Sequence, residues 1–107
     1  MEKDLLKIIE HFGVNNQQRK LQEEVFELQE AITKYEEFNN RIEDLAIYDI
    51  DETELKKEHI AEEIVDVMIL LEQFFHHYGI DEKTLLKIEE NKIIRTLERI
   101  ESGYYEK

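Results

Sequence analysis

Two pairs of carboxylates in this chain have the type and spacing to do chemistry. Glu24 and Glu27 lie three residues apart, and so do Glu63 and Asp66. Residues three apart on a helix share a side, so each pair offers oxygen ligands from adjacent turns. The pairs sit in segments that repeat one another, Leu21 to Ile32 (LQEEVFELQEAI) and Ile60 to Leu71 (IAEEIVDVMILL), displaced by 39 residues. Each residue turns a helix by about 100°, which puts Glu24 beside Leu28 and Tyr35 and Glu63 between Val67 and Leu70. Both acids therefore fall at the edge of an apolar arc and not on a polar face. If the two helices pack antiparallel through those arcs, four carboxylates converge.

Carboxylates crowded at the rim of a core repel one another and lose hydration, which is costly unless a cation is present. An all-oxygen ligand set of this density suits Mg2+, with Mn2+ as a substitute, and argues against zinc. Glu24, Glu27, Glu63 and Asp66 are accordingly the expected metal ligands. Glu27 lies further from the apolar arc and nearer solvent, and is the expected general base toward an attacking water. Glu23, Glu30, Glu62 and Glu72 stand well away from the stripes and read as solvated helix residues. His11, His59, His76 and His77 show no recurring ligand spacing with carboxylates, and the Glu-x-x-His pairs of a di-iron bundle are absent.

The elements that must hold these residues are helices. The chain has 107 residues, no proline, three glycines and 38% charged residues, a helical composition. A short helix is predicted from about Lys3 to Phe12, stopped by Gly13. Asn15 or Asn16 would cap a second helix with Leu21, Val25, Leu28, Ile32 and Tyr35 as its apolar stripe, fading between Phe38 and Asn40. Arg41 to Thr53 has no clean period and reads as a loop with at most a short helical turn. A third helix should begin after Asp51 or Thr53 and end at Gly79, with Ile60, Ile64, Val67, Leu71 and Phe74 on one face. Asp81 would cap a fourth, running to about Glu101 before Gly103. The expected architecture is all-α: a single domain over 1–107, a four-helix bundle-like protomer of one short and three longer helices. So small a domain buries little of its surface, so a homodimer or homotetramer is expected.

Charge narrows the function classes. With 27 acidic and 14 basic residues the net charge is −13, a field that repels nucleic acid and anionic membranes. The absence of cysteine removes disulfides and thiolate metal sites, and no apolar run is long enough to span a bilayer. A cytoplasmic protein is expected. A small anionic substrate needs a metal or a local basic stripe, and the fourth helix has one: Lys87, Asn91, Arg95 and Arg99 recur every four residues, with Lys92 alongside.

Leu21 to Ile32 and Glu62 to Leu71 resemble the E-x-x-E and E-x-x-D halves of the MazG-like all-α nucleoside triphosphate pyrophosphohydrolases, a resemblance that extends from about Phe12 to Ile100. It implies hydrolysis of a nucleoside triphosphate to the monophosphate and pyrophosphate, with magnesium on Glu24, Glu27, Glu63 and Asp66. It also implies substrate contacts from Gln17, Lys20 and Asn91, and phosphate contacts from Lys92 and Arg95, where Lys-x-x-Arg is similar to the family's basic motif. Two rival readings are a base-selective dUTP or dCTP pyrophosphatase of the same group and a non-enzymatic acidic dimerisation module. The related phosphoribosyl-ATP hydrolases are disfavoured because Asp66 is followed by Val67 and Met68 and not by their Tyr-His.

Overall fold

The computed structural model describes residues 1–45 and 50–106, and within them the chain is all-α. Four helices follow in order: α1 Glu2–Phe12, α2 Val14–Leu45, α3 Ile50–His77 and α4 Glu82–Glu101. No helix among the described residues is long and apolar enough to cross a membrane.

α1 is short, with Glu2 and Asp4 in its first turn where the helix dipole favours acids, and it buries Leu5 and Ile9, one turn apart. It joins α2 through a single residue. Gly13 has φ 87° and ψ 150°, outside the left-handed helical region and in a part of φ/ψ space that is essentially glycine-only. Its N–H donates to Ile9 O (2.8 Å) and its carbonyl accepts from Gln17 N (3.1 Å), so one residue closes α1 and opens α2. The expected cap at Asn15 or Asn16 is thereby displaced: both lie inside the first turn of α2, and Asn16 Nδ2 instead donates to Phe12 O at the end of α1 (2.7 Å). Gly13→Ala should destabilise the protein by about 1–3 kcal/mol, because any Cβ is strained at this φ even though open space surrounds it. Urea unfolding checks this.

α2 does not break at Asn39–Asn40 but continues to Leu45. Asn costs a helix well under about 1 kcal/mol relative to alanine, a penalty that packing readily overrides. Here Phe38 provides that packing, with the Arg41 guanidinium 5.8 Å and the Lys56 ammonium 5.2 Å from its ring centroid. The expected loop from Arg41 to Thr53 is likewise helical at both ends; residues 46–49 lie outside the described part. α3 starts at Ile50, with Asp51 and Glu52 in its first turn. It ends on Gly79 (φ 65°), where Ile80 N reaches back to Phe75 O (2.8 Å), a helix-closing bond across five residues. Asp81 caps α4 as expected, accepting from Lys83 N at 3.1 Å.

α2 and α3 run antiparallel. Gln17 meets Gln73, Glu24 meets Glu63 and Asp66, and Phe38 meets Lys56, so positions rise on one helix as they fall on the other. The seam positions on α2 are Gln17, Leu21, Glu24, Leu28, Ala31, Tyr35 and Phe38, and on α3 Thr53, Lys56, Ile60, Glu63, Val67, Leu70 and Phe74, with Gln73 buried beside the last of them. Both sets alternate steps of three and four, the period of a helix–helix seam. α1 packs on α3 and more lightly on α2.

α4 differs from the other three: none of its residues is buried. It approaches the rest of the chain at its N-terminal end, where a cleft of about 750 Å³ opens between Leu71, Phe75 and Tyr78 on one side and Leu85 and Leu86 on the other. Leu86, Ile93, Leu97 and Ile100 stay exposed along it. The radius of gyration is 18.4 Å, against about 13 Å for a compact domain of this length.

Candidate metal centre

The seam of α2 and α3 places carboxylates where a helix pair ordinarily packs leucine. Glu24 and Glu63 are only 6% and 9% exposed, more deeply set than the apolar Val25, Ile32, Ile64 and Leu71 beside them. This corrects the expectation that both acids sit at the edge of the apolar arc. The inward period runs through the acids, and of the expected apolar stripes Val25, Ile32, Ile64 and Leu71 face outward. A hydropathy pattern points to the most apolar face, whereas burial here follows the seam.

Glu24, Glu63 and Asp66 each bring a carboxylate oxygen within 4.8 Å of the other two. Asp66 is exposed and forms the solvent side of the cluster. Glu24 Oε2 and Glu63 Oε2 are fully buried and have no hydrogen-bond partner. Buried, unpartnered carboxylate oxygens on two acids of one cluster are a costly arrangement that a divalent cation with oxygen ligands would relieve.

Lys20 supplies partial compensation. Its ammonium lies 3.0 Å from Glu24 Oε1 and 3.9 Å from Glu23 Oε2, with half of its side chain still in solvent. The hydrogen bond to Glu24, reinforced by that carboxylate's charge, raises the Lys20 pKa above its ordinary value. On the α3 side His59, passed over in the sequence, has Nε2 4.0 Å from Glu63 Oε1. The available signal was local: His59 and Glu63 are four apart, neighbours on one helix face.

Glu27 is exposed, one turn beyond Glu24, and lies outside the tight trio. It still feels the cluster. Repulsion from Glu24 is the main cause that raises its carboxyl above the ordinary 4.5, followed by partial desolvation and by the charge of Glu63. A carboxyl whose folded pKa is raised binds protons before the unfolded chain does as pH falls. Its ionised form therefore opposes folding, and stability recovers as pH drops from neutral toward the ordinary carboxylate range. In a chelator, the melting temperature of the wild type should rise on mild acidification from pH 7 to about 5, and Glu27→Gln should flatten that rise. Thermal melts across this interval check it.

A cleft of about 320 Å³ adjoins the cluster, lined by Gln17, Lys20, Glu24, Asp66, Ile69, Leu70 and Gln73. It contains two of the expected substrate residues, Gln17 and Lys20. It contains none of Asn91, Lys92 and Arg95, which stand exposed on α4, and its walls come from α2 and α3 alone. Gln73, unremarked in the sequence, is buried here and accepts a hydrogen bond from Gln17. A glutamine in an apolar stretch such as Leu70 to Phe75 is the signal that could have singled it out.

No family model, curated protein or solved structure matches the chain.

Proposed function

We propose that the protein is a Mg2+-dependent nucleoside triphosphate pyrophosphohydrolase of the MazG-like kind, converting a (d)NTP and water to the (d)NMP and pyrophosphate. The observation that carries this reading is the trio Glu24, Glu63 and Asp66, with two buried oxygens left unpartnered at one point of an antiparallel helix pair. A surface patch of acids does not bury unpaired oxygens, so the arrangement favours a cation site over a solvated acidic module. The two acidic motifs and the Lys-x-x-Arg on α4 add the nucleotide.

Glu24, Glu63 and Asp66 would hold the cation, with Glu27 completing the set from the next turn. A divalent cation bound there supplies neutralisation of triphosphate charge and acidifies a coordinated water. The remaining work falls to side chains of this chain. Lys20, already beside the carboxylates, is placed to pair with a phosphate oxygen at the mouth of the cleft. Glu27, exposed and outside the tight trio, is suited to accept a proton from the attacking water in so far as the cation leaves one of its oxygens free. The bond between the α and β phosphates breaks, Lys92 and Arg95 would neutralise charge on the departing pyrophosphate, and Asn91 would donate a hydrogen bond to it.

That last assignment requires a second copy of the chain. Within one protomer the basic face of α4 lines no part of the cleft, and no residue of α4 is buried. A homodimer or homotetramer would cover Leu86, Ile93, Leu97 and Ile100 and bring the basic residues of one chain to the carboxylates of another. Incubation with a panel of (d)NTPs and Mg2+, following pyrophosphate against orthophosphate, tests the reading. Pyrophosphate alone is the expected product; no magnesium-dependent product from any nucleotide would refute it.

A further inference from the structure

The cleft beside the carboxylates is bordered by an amide pair that metal binding does not require. Gln73 is 2% exposed and Gln17 7%, and Gln17 Nε2 donates to Gln73 Oε1 at 2.8 Å. Leu21, Leu28 and Leu70 show that this seam accommodates apolar side chains, and two buried amides are costlier than two leucines unless their polarity is used. Their mutual bond engages one donor of Gln17 and one acceptor position of Gln73. A carboxamide has two donors and two acceptor positions, so the pair keeps hydrogen-bonding capacity beside the cleft.

Position says what that capacity could meet. Gln17 precedes Glu24 by seven residues and Gln73 follows Asp66 by seven. On antiparallel helices both lie on the same side of the carboxylates, about 10 Å along the seam. A nucleotide whose phosphates sit at the carboxylates extends its uncharged nucleoside over such a distance, toward a pair that is itself uncharged. Beyond Gln17 and Lys20 the surface continues into a second cleft, of about 520 Å³, walled by the exposed ring of Phe12. A flat apolar ring is a face on which a base can stack.

We propose that Gln73, held in place by Gln17, reads the nucleoside end of the substrate and determines which nucleotides are accepted. This rests on the pyrophosphohydrolase reading of the same site. An amide that served packing alone would, when replaced, change all substrates alike. One that reads the nucleoside changes their ratios.

Gln73→Met keeps the length of the side chain and removes its hydrogen bonding, and Gln17→Met does the same from the facing helix if the first variant fails to fold. Each is assayed for kcat and KM over a (d)NTP panel, with the Mg2+-induced shift in melting temperature as a control on the carboxylates. The expected result is a loss of about tenfold in kcat/KM on the best nucleotide, carried by KM. The ratios between nucleotides change, and the magnesium shift is retained. Unchanged ratios in an active variant would overturn this inference alone. A wild-type protein that releases pyrophosphate from no nucleotide would overturn it together with the proposed activity.

Discussion

Glu63→Gln should lower magnesium-dependent pyrophosphate release by about a thousandfold or more while making the metal-free protein more stable. The two effects have one cause. Glu63 is buried in the α2–α3 seam with Oε2 unpartnered, in a cluster with Glu24 and Asp66. On the proposed reading, removing its charge deletes a ligand and also a like charge beside two other carboxylates. A gain of about 1 kcal/mol corresponds to about 5 °C in a domain of this size. Melts in EDTA and in millimolar MgCl2 separate the contributions: the variant should melt higher than the wild type in EDTA and gain less from magnesium. Such a trade of stability for function is expected where a site concentrates like charges. Full activity in Glu63→Gln would show that this carboxylate holds no catalytic metal.

The second large effect concerns α4. Lys92→Ala/Arg95→Ala should reduce kcat/KM by about a hundredfold, since on the proposed reading two cations that face phosphate are lost. Neither residue lines the cleft of its own chain, so the deficit should be correctable from a neighbour. Co-expression of this double variant with Glu63→Gln pairs an intact carboxylate cluster in one chain with an intact α4 in the other. Two inactive proteins should then yield activity approaching about one quarter of the wild type, the statistical share of intact sites in randomly paired dimers. A co-expressed mixture as inactive as its parents would place the basic residues and the carboxylates of one site in one chain, or separate the basic residues from the reaction. The exposed Leu86, Ile93, Leu97 and Ile100 explain why a partner is expected at all: an apolar row of that length is an uncommon surface for a lone chain.

Much of this was legible in the residues. The absence of proline, the glycines at 13, 79 and 103 and the cap at Asp81 mark the helix order and most of the boundaries. The repeat of Leu21 to Ile32 in Ile60 to Leu71 marks Glu24, Glu63 and Asp66 as facing one another. Other features were not legible, for physical reasons. Asn39 and Asn40 read as a break because propensity is local, whereas the packing of Phe38 against Lys56 is not. The depth of Glu24 and Glu63 was underestimated because a carboxylate at a seam position resembles, by period, one at its edge. Gln73 was missed because a lone amide has no spacing rule; it becomes visible only when Gln17 is seen 2.8 Å away on the facing helix. The detachment of α4 was invisible too, since its apolar period is the same whether the covering helix belongs to its own chain or to another.

That Glu24, Glu63 and Asp66 hold a divalent cation, as proposed above, is reported directly by Mn2+ through the six-line paramagnetic resonance of the free aqueous ion. Titrated at neutral pH into the metal-free wild type, Mn2+ should lose its free signal saturably, Mg2+ should restore the signal by competition, and Glu63→Gln should leave it largely free. A wild-type protein that leaves the Mn2+ signal unchanged, or a Glu63→Gln variant that binds as tightly as the wild type, would contradict it.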